Sequence, residues 1–165
     1  MRRKMIWVVA AAFFALAVYA GTVLATPQGQ VSTSTVAKAT FDEIDLNAHS
    51  IPADIWQARL KTHGQSDVYV IDNKFTATGS TTGWHSHAGP SLIFVVAGTI
   101  TNYESDDPSC TPHEYSAGDS FVDAGGSDAH MLRNNGSAVA ETVAVQILPN
   151  GAARRTDVTP APQNC

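Results

Sequence analysis

From Ser66 to Leu148 the chain is a succession of short runs in which apolar residues recur at alternate positions, each closed by glycine, asparagine or proline. Extended backbone points successive side chains to opposite faces, so this pattern builds half-buried strands. SDVYVIDNKF, residues 66–75, sets Val68, Val70 and Lys74 on one side and Tyr69, Ile71 and Phe75 on the other, and TATGSTTG follows as a turn-rich break. SLIFVVAGTITNY, residues 91–103, reads as an apolar run, a turn at Gly98 and a second alternating run, together a hairpin. HEYSAGDSFVDAGG, DAHMLRNNG and VAETVAVQILPNG continue the series. Strands at this spacing with almost no helical periodicity predict an all-β barrel or sandwich. The one helix-like patch is IPADIWQARL, where Ile51, Ile55, Trp56 and Leu60 fall near helical spacing after Pro52.

The first 25 residues carry the three parts of a secretory signal: Arg2, Arg3 and Lys4, then an apolar run from Met5 to Ala20, then Val23-Leu24-Ala25 as a small-residue cleavage site. The expected destination is secreted, periplasmic or extracellular. Residues 5–25 are also long enough to stay in a bilayer as an uncleaved anchor, the only contact with a membrane the sequence offers. The expected organisation is therefore 1–25 as signal peptide or membrane anchor, 26–50 as a flexible leader or first strand, 51–150 as the barrel, and 151–165 as a C-terminal tail.

Without those 25 residues, 140 of the 165 remain, enough for one domain and one sizeable core. The full chain has 10 basic and 15 acidic residues; loss of Arg2, Arg3 and Lys4 leaves 7 against 15, or about −8. No basic run survives in the remainder, so no electrostatic footprint for nucleic acid exists there. Cys110 and Cys165 suit export to an oxidising compartment, where two cysteines are expected to bridge, with two free thiols as the alternative.

The six histidines differ in context. His49, His63 and His113 sit in loop-like or turn-adjacent surroundings and read as solvated. His85 and His87 are two apart, hence on one face of an extended segment, and Gly79 and Gly83 let the backbone bend into it. His130 opens a strand of its own after the AGGSDAH turn. Imidazole nitrogens suit Zn, Cu, Fe and Ni, and three on one side of an ion leave positions open for water or substrate. Glu104, Asp123 and Asp128 are the nearest carboxylates in sequence and read as solvated turn residues. Trp84 reads as core or rim, and Tyr103 as core in preference to pocket lining. Asn135-Gly136-Ser137 matches a glycosylation acceptor but reads better as a turn.

These residues resemble the cupin superfamily, in particular its small single-domain members. The first motif of that family, G-x5-H-x-H-x3,4-E-x6-G, is similar to Gly79, His85, His87, Ser91 and Gly98, with every spacing kept and serine in place of the glutamate. The second, G-x5-P-x-G-x2-H-x3-N, is similar to Gly118, Gly126, His130 and Asn134, with Ala124 for the proline and one extra residue before the histidine. The resemblance implies a double-stranded β-helix, or jelly-roll barrel, with a metal near its mouth. It places the ligands at His85, His87 and His130 and leaves Ser91, a poor ligand, at the fourth position.

A divalent transition metal is thus implied, Fe, Zn, Mn, Ni or Cu, held by three neutral imidazoles and favouring anionic or chelating molecules in its open positions. Two functions follow as expectations. One is an exported metal-dependent enzyme, dioxygenase-like, acting on a small organic substrate; the other is a non-catalytic barrel that binds a small ligand or metal. A homodimer is implied by the resemblance alone. For the cysteines, the non-reduced protein is expected to weigh two hydrogens less than its reduced form by mass spectrometry, and equal masses would rule the bridge out.

Overall fold

The computed structural model describes residues 28–50 and 55–165, so the signal or anchor expected over 1–25 lies outside the described residues. The described chain is all strand. In order these are β1 (Val31–Phe41), β2 (Asp45–His49), β3 (Gln57–Lys61), β4 (Ser66–Phe75), β5 (His85–Ser86), β6 (Ser91–Ala97), β7 (Thr99–Glu104), β8 (His113–Ser116), β9 (Ser120–Asp123), β10 (His130–Arg133), β11 (Ala140–Pro149) and β12 (Thr156–Asp157). One five-stranded sheet runs β1-β4-β11-β6-β9, a second runs β12-β5-β10-β7-β8, and β2 and β3 form a separate hairpin. Every pairing is antiparallel, and the two sheets make the expected jelly roll. Among the described residues no helix is long and apolar enough to cross a membrane.

Period-two alternation decides which side chains enter the barrel. On β6, Ser91, Ile93 and Val95 are buried while Leu92, Phe94 and Val96 are exposed; on β11 the buried row is Ala140, Thr142, Ala144, Gln146 and Leu148. The apolar members of these rows meet in two clusters. Phe75, Val95, Ile100, Leu132 and Ala140 close one end, and Ile71, Ile93 and Ala144 form a second group, with Phe121 packed against both. Leu148 is a further apolar inward residue, and the remaining inward positions include the polar Ser91, Asp123, Thr142 and Gln146.

Two sequence expectations are corrected. The helix-like spacing of Ile51–Leu60 does not produce a helix among the described residues: 55 and 56 lie outside any element, Gln57–Lys61 is strand, and residues 51–54 are outside the described chain. Pairing of β3 with β2 over five residues supplies hydrogen bonds that an isolated helical turn could not match. The second correction concerns Gly98. β6 and β7 are not partners, because β6 pairs with β11 and β9 whereas β7 pairs with β10 and β8. Gly98 is the corner at which the chain passes from one sheet to the other. Its φ is +66°, and a Cβ there would stand 2.5 Å from the Val139 carbonyl oxygen, which is why glycine occupies it.

β1 lies along nearly the whole of β4, from Val31 opposite Phe75 to Phe41 opposite Ser66, with an irregularity between Thr35 and Ala37. The C-terminal segment is attached twice. β12 pairs with β5, and Cys165 is bonded to Cys110 in the segment between β7 and β8.

Asp67 fastens three parts of the first sheet. Only 2% exposed, it accepts hydrogen bonds from the Thr40 hydroxyl at 2.7 Å, the Asn150 side chain at 3.1 Å and the Gly151 N–H at 3.2 Å, and pairs with Lys38 at 3.1 Å. The Thr40 hydroxyl, then the Gly151 N–H, then Lys38 hold its carboxyl well below the ordinary value of 3.8. A depressed folded-state pKa stabilises above the unfolded value and stops doing so as pH falls toward the folded one. Asp67→Asn should therefore melt below the wild type at neutral pH, and the gap should narrow as the pH is taken from about 5 to about 2. Thermal melts across that range check this; a gap independent of pH would contradict it.

Candidate functional site

β5 is only two residues long, yet it lies between β10 and β12 and aligns His85 directly with His130. Residues opposite each other in an antiparallel pair project from the same face, so the two imidazoles meet. His87 follows β5 at once, and its ring turns to the same side. The ring centres are 4.8 Å apart for His85 and His87, 4.5 Å for His85 and His130, and 5.5 Å for His87 and His130. All three side chains are buried. A ligating atom from each falls within 4.8 Å of the others, close enough that the three could hold one ion.

Backbone carbonyls aim two of the rings. His85 Nδ1 donates to the Gly83 carbonyl at 2.8 Å, and His87 Nδ1 to the Arg154 carbonyl at 2.6 Å. A proton fixed on Nδ1 puts the lone pair on Nε2, the arrangement typical of metal-bound histidine; for His87 that atom also lies 3.4 Å from Gln146 Nε2. Burial, the largest cause, keeps each imidazole from protonating. His85 is held well below its usual range by burial and then by His130; His87 is lowered by burial against the opposing Arg154 carbonyl and Asp123; His130 is lowered to about 4 by burial, opposed by Asp123. At neutral pH the trio is uncharged, the form that binds metal.

One contact tests the fit to an ion. His85 and His130 face each other through their Nε2 atoms at 3.1 Å, and His130 Nδ1 is buried without a partner. With His85 protonated on Nδ1, either tautomer of His130 leaves a buried ring nitrogen unsatisfied. A cation shared by the two Nε2 atoms would relieve the opposition of their lone pairs, with His130 carrying its proton on Nδ1, which stays without a partner. The donor set therefore fits a borderline transition ion.

Facing the trio from the first sheet is a row of three residues in register: Gln146 on β11, Ser91 on β6 and Asp123 on β9. Ser91 is buried, and its hydroxyl accepts from Gln146 Nε2 at 3.3 Å; the Gln146 carbonyl oxygen accepts from Arg154 Nη1 at 3.3 Å. Asp123 Oδ1 accepts from the Gly125 N–H at 2.9 Å, whereas Oδ2 has no partner. Ile71, Ile93, Leu132 and Ala144 give the pocket an apolar lining, and Arg154 and Arg155 give it positive charge. Arg155 is braced by the Thr82 carbonyl at 2.6 Å and by Asp157.

Among the remaining sequence candidates, His49, His63, His113 and Asp128 are exposed, Glu104 is half-buried with Asn102 donating to it, and Trp84 is buried. The solvated reading of Asp123 is overturned. Phe121 and Asp123 are two apart on β9 and share its inward face, so the alternation that turns Phe121 toward the core also carries the carboxylate inside. That signal was present in SFVD and was masked by the adjacent AGG turn. Arg154 and Arg155 had no comparable signal, because the pairing of β12 with β5 brings them to the pocket.

Among known proteins, the family model described as "Cupin domain" matches residues 75–146. No curated protein matches the sequence. Similar solved structures include a predicted oxalate decarboxylase of Thermotoga maritima, 22% identical over 52% of this chain and 82% of its own, with a TM-score of 0.40. A double-stranded β-helix protein of Klebsiella pneumoniae is 19% identical over 71% of this chain and 84% of its own, with a TM-score of 0.44. Peruvianin-I, described as a cysteine peptidase from Thevetia peruviana latex, is 18% identical over 83% of this chain and 71% of its own, at 0.50. At these identities the likenesses bear on fold alone, and in this chain both cysteines are spent in the disulfide.

The turn behind Asp123 leaves no room for a side chain. Gly125 has a φ of +71°, and a Cβ there would lie 2.3 Å from the Gly89 carbonyl oxygen, itself fixed backbone. Gly125→Ala should cost more than about 1 kcal/mol in stability and displace Asp123. Chemical denaturation checks it, with a wild-type midpoint as the contrary result.

Proposed function

Because residues 75–146 match the family model described as "Cupin domain", we propose that this chain is an exported metal-binding cupin whose ion is held by His85, His87 and His130. Held by these three residues, a metal would leave room for a small organic molecule beside it, with oxygenase-type turnover as the reaction class. The observation that carries this reading is the buried, uncharged trio itself, with its donor atoms within 4.8 Å of one another.

The residues divide the work by their chemistry. The Gly83 and Arg154 carbonyls hold His85 and His87 in the tautomer that offers Nε2, so little reorganisation accompanies metal uptake. The apolar lining excludes water and strengthens electrostatic contacts inside the pocket. Arg154 and Arg155 favour a substrate bearing a carboxylate or another anionic oxygen group. A redox-active ion such as iron would supply oxygen chemistry in such a site, and zinc or nickel would supply Lewis acidity. Export agrees with the Cys110–Cys165 bond, since disulfides persist in oxidising compartments.

Elemental analysis of the chain purified without a histidine tag should find close to one transition-metal ion per chain. His85→Ala, His87→Ala and His130→Ala should each lower that occupancy severalfold. Full occupancy in any one variant removes that residue from the site. No uptake by the unaltered protein, even after reconstitution, overturns the proposal.

A further inference from the structure

We propose that Asp123 is a fourth protein ligand of this site, coordinating through Oδ2, so that the carboxylate missing from β6 is supplied by the neighbouring strand β9. The inference rests on the three-histidine reading above and adds to it a charged donor that the motif pattern places elsewhere.

Register carries the first part of the argument. Ser91 and Asp123 are direct partners across β6 and β9, and both are buried. Side chains of such a pair leave the same face of the sheet with their Cβ atoms about 5 Å apart. A carboxylate at Asp123 therefore enters the same space as one at position 91.

The second part is the state of the carboxylate. Its side chain is 5% exposed, Oδ1 is satisfied by the Gly125 N–H, and Oδ2 is buried with no donor. A buried anionic oxygen without a partner carries a desolvation cost that a cation would offset. The nearby arginines are engaged elsewhere, Arg155 with Asp157 and the Thr82 carbonyl, Arg154 with Gln146.

Distances carry the third part. Oδ2 lies 3.8 Å from His87 Nε2 and 4.0 Å from His130 Nε2. Both exceed hydrogen-bond length. Donors bound to one ion at about 2.1 Å stand about 3.0 to 4.2 Å apart, depending on coordination geometry, and both separations fall inside that interval. The other oxygen donors in the row are weaker candidates: the Gln146 carbonyl is taken by Arg154, and the Ser91 hydroxyl is neutral and accepts from Gln146. With Asp123 bound, a divalent ion keeps a net charge of about +1 rather than about +2, which moderates its demand for an anionic substrate.

The test is Co(II) titration of the metal-free, untagged chain, followed by its visible spectrum and by calorimetry, for the wild type, Asp123→Asn and Ser91→Ala. Asp123→Asn should raise the Kd at least about tenfold and shift the spectrum, since even outer residues of metal sites cost that much. Without metal it should melt no lower than the wild type, because the buried unpaired charge is gone while the acceptor for Gly125 remains. Ser91→Ala should change the Kd severalfold less than Asp123→Asn does, since it removes no charged donor. In the unmutated protein, Co(II) should also shift a carboxylate stretch in the infrared difference spectrum, a readout that needs no variant to fold. An Asp123→Asn protein with wild-type Kd and spectrum overturns the fourth ligand and leaves the trio standing. So does a variant that melts lower while binding Co(II) as before, which would make the carboxylate structural. A wild type that takes up no Co(II) overturns both readings.

Discussion

Strand β11 is hydrogen-bonded along both edges, to β4 over ten residue pairs from Ala140 opposite Phe75 to Pro149 opposite Ser66, and to β6 along most of its length. Its inward row is therefore fixed relative to two neighbours at once, and a slip of one residue would turn the whole row outward. That row is apolar at its ends, Ala140 and Leu148, and polar where it faces the histidines, Thr142 and Gln146. The register that closes the core thus also sets the height of the candidate site. Gln146 aligns with Ser91, Ser91 aligns with Asp123, and the row faces His85, His87 and His130 from the opposite sheet.

The site concentrates groups that are unfavourable in a bare protein interior. Three imidazoles are kept neutral by burial, two Nε2 atoms face each other, and a carboxylate oxygen has no donor. Each is a local cost that the surrounding pairing of strands sustains, and each is relieved by a cation in the same small volume. This is why the arrangement is better read as preparation for an ion than as a set of hydrogen bonds.

Much of this was legible in the sequence, and the failures have physical reasons. Alternation located the strands and set Ile71 and Phe75 on one face, and the motif resemblance brought together His85, His87 and His130 from parts of the chain 43 residues apart at the nearest, His87 to His130. What alternation does not contain is partner choice. Gly98 looked like a hairpin turn because a tight reversal and a passage between sheets demand the same positive φ. Ile51–Leu60 looked helical because a short apolar spacing fits either period, and from Gln57 onward pairing with β2 decided the matter. Asp123 was misjudged since loop-like neighbours outweighed its place on the inward side of a four-residue strand.

The attachment of the C-terminal segment has a further consequence. His87 is aimed by the main chain of Arg154, while neither apolar cluster contains a residue beyond Ala144. Cutting the chain after Pro149 would remove the carbonyl that aims His87 while keeping every residue of both apolar clusters, but it would also take Asn150 and Gly151 from Asp67 and β12 from β5, so residues 150–165 serve the sheet and the site together.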